Sequence, residues 1–121
     1  MKWVILIGDK TLNLESVKAI QHHGSVKGSD VWEDRYCVDY GTDRICYDYF
    51  DDMISQYDES ERNIIPFPDP RFIMMVYGSE DRMKEIIQQD NFLRGIYVDN
   101  DFGLIGPIEE FIKMGMPMSK S

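Results

Sequence analysis

The sequence predicts an α+β fold: one mixed β-sheet of about five strands with helices packed on it, in the order β-α-β-β-α-β-α-β-α. Three observations lead there. Two continuous apolar runs, Trp3 to Ile7 and Phe72 to Tyr77, have the length and composition of strands covered on both faces. Between them, residues 35 to 49 alternate in polarity about a turn at Gly41, as a hairpin does. The intervening stretches carry apolar residues at helical spacing. The opening β-α-β-β-α-β has the element order of a ferredoxin-like sandwich, followed by an added α-β-α. With 121 residues the chain forms a single domain, 1–121, with a core of ordinary size.

Taken in order, Trp3 to Ile7 ends at Gly8-Asp9 and reads as a first, central strand. The apolar run is too short for a secretory h-region of roughly 7–15 residues, and no small-residue cleavage site follows it. An amphipathic helix is expected from Leu14 to His23, with Leu14, Val17 and Ile20 on one face, Asn13 or Thr11 as cap and Gly24 as its left-handed stop. His22 and His23 would then occupy its last turn, where the helix dipole favours an imidazolium. Ser25 to Ser29 is small and polar, and reads as a connector.

The hairpin pairs Tyr40 with Ile45 in this reading. Tyr36, Val38 and Tyr40 form one face with Ile45, Tyr47 and Tyr49; Arg35, Cys37 and Asp39 form the other with Cys46 and Asp48. This register sets Cys37 and Cys46 diagonally, a poor geometry for a disulfide, so reduced thiols and a cytoplasmic location are expected. Asp51 to Tyr57 follows as a short helix burying Met53, Ile54 and Tyr57. Three prolines, Pro66, Pro68 and Pro70, stiffen the approach to the second apolar strand.

Ser79 caps a helix from Glu80 to Gln89 whose inward stripe is Met83, Ile86 and Ile87. Ile96 to Val98 is a short strand. Pro107, Glu109, Glu110, Lys113 and Gly115 mark the boundaries of a last helix with Ile108, Phe111 and Ile112 inward. Residues 116–121 read as a loose tail.

Charge is the feature that points to function. Residues 30 to 61 hold eleven acids against two bases, Arg35 and Arg44; the difference is the whole net charge of −9. Five of the seven tyrosines and Trp32 lie in the same stretch. Carboxylates interleaved with aromatics suit a face for a basic-surfaced protein, the acids steering encounter and the rings supplying affinity. The expected contact residues are Trp32, Glu33, Asp34, Asp39, Asp43, Asp48, Asp51, Asp52, Tyr57 and Asp58. A pI near 4.5 argues against nucleic acid or an anionic membrane as partner. The bland reading of the same run is a solvated sheet face with tyrosines in the core.

Reaction chemistry is thinly represented. Asp99, Asp101 and Glu110 have part of the spacing of a calcium loop, but Leu104 stands where the turn needs glycine and Pro107 interrupts it. A strand-end turn accounts for them as well, so no metal and no cofactor is expected. Adjacent helical histidines point about 100° apart and do not share an ion. Cys37 and Cys46 have no C-x-x-C spacing, and neither a G-x-G-x-x-G nor a P-loop follows the first strand.

The expected function is therefore non-enzymatic: binding of a basic protein, as an inhibitor or immunity-type protein covering a nuclease toxin would do. In size and charge the chain is similar to small acidic bacterial immunity proteins and to barstar-like inhibitors, with no motif to carry residue roles across. The alternative is a regulatory or enzymatic α/β domain binding a small ligand or cation near Asp99 and Asp101, at the strand ends.

Overall fold

The structure, a computed structural model, describes residues 2–118. Its elements are β1 (Lys2–Gly8), α1 (Leu14–Lys18), β2 (Lys27–Trp32), β3 (Arg35–Asp39), β4 (Arg44–Phe50), a 3₁₀ turn (Met53–Gln56), α2 (Glu59–Ile64), β5 (Arg71–Tyr77), α3 (Glu80–Gln88), β6 (Tyr97–Asp99), β7 (Ile105–Pro107) and α4 (Ile108–Lys113). They form an α+β fold around one seven-stranded sheet in the order β2-β3-β4-β5-β1-β6-β7.

Every neighbouring pair is antiparallel, which corrects the expected mixed sheet of about five strands. The ferredoxin-like arrangement is not formed either, because β5 lies between β1 and the β3–β4 hairpin. The two added strands are both at edges, where a strand needs only one partner and little apolar content. β2 comes from the polar tract read as a connector. Its Gly28 is required by a close approach: a Cβ there would collide with the Tyr36 hydroxyl. β7 is three residues long and ends in Pro107, a residue that edge strands tolerate.

The apolar runs of β1 and β5 are explained by cover on both sides. Val4, Leu6, Ile73, Met75 and Tyr77 face α1, α3 and α4, with Val17, Met83, Ile86, Ile87, Ile108 and Phe111 in the same core. On the opposite face Ile5, Ile7 and Phe72 pack under Met53, Tyr57 and Ile65. Met116 and Met118 are buried in the larger core, so the supposed tail is part of the fold at least that far. Residues 119–121 lie outside the described residues.

α1 stops at Lys18, five residues short of the expected end at His23. Beyond it the Gln21 carbonyl accepts from the side-chain amides of Gln89 and Asn91, at 3.1 and 3.0 Å, which ties the chain after α1 to the end of α3. His22 is drawn inward and buried against Tyr47, not exposed on a last turn.

The hairpin register also differs by two residues. Asp39 pairs with Arg44, Val38 with Ile45 and Cys37 with Cys46. The loop is Tyr40 to Asp43, closed by Tyr40 N–H donating to the Asp43 carbonyl at 2.9 Å, with Gly41 at φ +90°. A two-residue shift keeps each side chain on its expected face. It does move the cysteines from diagonal to directly opposed, with Cα atoms 4.1 Å apart and the sulfurs bonded. The expected pair of free thiols is thereby overturned. Disulfides persist mainly in oxidising compartments, so the cysteines give no support to the cytoplasm. No helix among the described residues is long and apolar enough to cross a membrane.

Candidate functional site

The β3–β4 register sets Arg35 opposite Asp48, and a bulge in β2 between Asp30 and Trp32 sets Trp32 opposite Arg35. Arg35 Nε and Nη2 donate to the two Asp48 oxygens at 2.6 and 2.7 Å. The guanidinium carbon lies 5.0 Å from the Trp32 ring centroid. The hydrogen bonds to Asp48 raise the Arg35 pKa further, against a smaller opposing effect of burial.

This row floors a cleft of about 500 Å³ at one end of the sheet, bounded by Trp32 and Asp34 on one side and Phe50, Asp51 and Asp52 on the other. The walls come together because Tyr49 N–H donates to the Asp34 carbonyl at 2.9 Å, tying the β2–β3 turn to the end of β4. Trp32 is 67% exposed and Phe50 40%. Glu33, Asp34, Asp51 and Asp52 are exposed and make no ion pair among the described residues.

Of the ten residues singled out from the sequence, Trp32, Glu33, Asp34, Asp48, Asp51 and Asp52 thus come together at this end. Asp39 and Asp43 lie at the other end of the hairpin. Asp39 Oδ1 accepts from Gly41 N–H at 2.7 Å. Asp43 is held by Arg82 of α3 at 3.1 Å, which lowers its pKa, and the same guanidinium lies 4.1 Å from the Tyr40 ring centroid.

Asp58 caps α2. Its Oδ1 accepts from Glu61 N–H at 2.8 Å while Glu61 Oε1 accepts from Asp58 N–H at 2.9 Å, and the first of these bonds holds the Asp58 carboxyl below its usual range. Tyr57, read as an anchor, is buried and stacked on Phe72 with centroids 5.5 Å apart. Its hydroxyl donates to Asp99 Oδ2 at 2.7 Å, and burial first, then that carboxylate, pushes the phenol pKa far up.

Phe50 and Arg35 belong to the cleft although neither was a candidate. Alternation marks Phe50 as sharing a face with Asp48. That this face lies open at the sheet's end depends on where the 3₁₀ turn leaves β4, for which the sequence carries no sign.

The metal candidates are not gathered. Asp99 is buried and accepts from Tyr57 Oη and from Asp101 N–H at 2.8 Å. Asp101 stands in the left-handed region at φ 62°, in a turn held by Asn100 Oδ1 accepting from Phe102 and Leu104 N–H. Glu110 lies on α4, 4.0 Å from Lys113. Among the described residues no three His, Cys, Asp or Glu side chains are placed to hold one ion.

Comparison of the chain with protein-family models, with curated proteins and with solved structures finds no match.

Proposed function

We propose that this chain is a non-enzymatic binding protein that receives a basic protein surface in the cleft between Trp32 and Phe50. The reading extends to an inhibitor of the immunity type, covering the cationic active site of a nuclease toxin. One observation carries it. Four exposed carboxylates, Glu33, Asp34, Asp51 and Asp52, flank two exposed aromatic rings, whereas Asp30, Asp43 and Asp48 are taken up in ion pairs within the fold. The negative end steers a cationic partner, and Trp32 and Phe50 offer the apolar area from which affinity comes.

The test is capture from a native extract on immobilised protein, comparing wild type with the triple variant Asp34→Lys, Asp51→Lys, Asp52→Lys and with Trp32→Ala. Basic proteins eluted by salt from the wild type and lost from both variants support the reading. A set of captured proteins identical across the three removes it.

A further inference from the structure

The register of the sheet lines up Ser29, Cys37, Cys46 and Val76 as one row across β2, β3, β4 and β5. The disulfide spans the middle of this row, and its two ends differ. Beyond Cys46 the row continues into Val76, and Met74 packs against the same small cluster, so that end is closed by side chains. Beyond Cys37 it continues to Ser29, a small residue on the edge strand. There Cys37 lines an open cleft of about 420 Å³ whose rim carries Lys27, Arg44, Asp39 and Asp43.

The charges at this cleft are unlike those of the chain as a whole. Lys27 and Arg44 are exposed and make no ion pair among the described residues. Asp43 is paired with Arg82 from α3, which leaves Asp39, an acceptor from Gly41 N–H, as the one acid of this rim without an ion pair among the described residues. An anionic nucleophile therefore meets cations on this approach in a protein that is otherwise strongly negative.

We propose that Cys37–Cys46 is an exchangeable redox site, opened by a thiolate that enters over Ser29 and attacks Cys37. Displacement at sulfur requires the nucleophile, the attacked sulfur and the leaving sulfur to lie in line. The cleft leaves Cys37 approachable from the β2 side, whereas Val76 and Met74 cover Cys46 on the β5 side. The reductant is a dithiol. One of its thiolates bonds to Cys37 Sγ, the disulfide breaks, and the electron pair leaves on Cys46 Sγ, which takes a proton from water. The reductant's second thiol then gives its proton to water, attacks its own sulfur in the mixed disulfide as a thiolate and releases Cys37 as a thiolate. Two electrons pass to the cysteine pair, and the dithiol becomes a disulfide. This site lies apart from the Trp32–Phe50 cleft and does not depend on its function.

The test uses the folded wild-type chain without denaturant. Dithiothreitol followed by alkylation should give two labelled cysteines per chain while the circular dichroism of the sheet persists. With glutathione as a single-thiol probe and acid quenching, peptide mapping should find the mixed disulfide on Cys37 at least about fivefold more often than on Cys46. In the double variant Lys27→Glu, Arg44→Glu, attack by the strongly anionic glutathione thiolate should slow about fivefold, whereas attack by the cysteamine thiolate, whose ammonium makes it neutral overall, should not. Labelling only after denaturation, equal capture at the two cysteines, or two alkylatable thiols before any reductant is added would each overturn the proposal. The wild-type partition decides the matter if the variant does not fold.

Discussion

Arg35 holds Asp48 by two parallel hydrogen bonds of 2.6 and 2.7 Å across β3 and β4, under the ring of Trp32. A fork of this kind fixes both partners as no single contact would, and it takes Asp48 out of the charge offered to a partner. Asp48 is thus a structural acid, whereas its neighbours Asp34, Asp51 and Asp52 are exposed and make no ion pair among the described residues.

Replacing Arg35 by alanine leaves Asp48 without its partner in a partly covered position and should lower stability by about 1–2 kcal/mol in urea titrations. The double variant Arg35→Ala, Asp48→Ala should recover part of that loss. Additive effects of the two single changes would show that the pair contributes nothing.

His22 gives stability an acid limb. Nδ1 sits 3.1 Å from the Ile20 carbonyl, which only accepts, so the neutral ring carries its hydrogen there and Nε2 accepts from Tyr47 Oη at 2.7 Å. Burial lowers the His22 pKa below its ordinary value of 6.5, against a smaller opposing effect of the Ile20 carbonyl. The unfolded chain therefore takes up the proton first. The contribution is complete above the unfolded pKa and is lost as pH falls below it toward the folded one. Denaturant midpoints should be level near neutrality and drop as pH falls below 6.5, and His22→Gln should flatten that drop. An unchanged pH profile in the variant would assign the acid limb to other groups.

Tyr57→Phe removes the donor to a buried carboxylate and keeps the ring stack on Phe72. The unfolding free energy should fall by about 1–2 kcal/mol. Asp99→Asn should be milder, because the amide oxygen still accepts from Asp101 N–H or Tyr57. A neutral Tyr57→Phe would mean that Asp99 is satisfied without it.

The segment after α4 should behave as core. Met118→Ala removes a buried side chain from the main cluster and should cost about 2–3 kcal/mol, and Met116→Ala a similar amount. Asn100 Nδ2 also donates to the Pro117 carbonyl at 2.7 Å, so truncation after Gly115 should shift thermal unfolding downward by more than either substitution. A truncated chain melting with the full one would restore the loose-tail reading.

Local chemistry was readable where a single residue type enforces it. The spacing of Met83, Ile86 and Ile87 behind Ser79 fixes α3 to within one residue, and Ile108, Phe111 and Gly115 do the same for α4. The uninterrupted runs of β1 and β5 announced strands with both faces covered, because a one-sided strand must alternate. The sequence alone also located the net charge in residues 30 to 61.

Distant pairing decided the rest. β2 has no apolar pattern and exists because β3 accepts its hydrogen bonds. The chain beyond α1 leaves the helix, and its Gln21 carbonyl is held by Gln89 and Asn91, some seventy positions away. A hairpin register two residues from the expected one brought the cysteines face to face. Partners from other elements took Asp43 and buried Tyr57, while the bulge in β2 carried Trp32 over Arg35. Composition counts charges and rings; which of them meet solvent is set by contacts between residues far apart in the chain, and those exist only once the sheet has assembled.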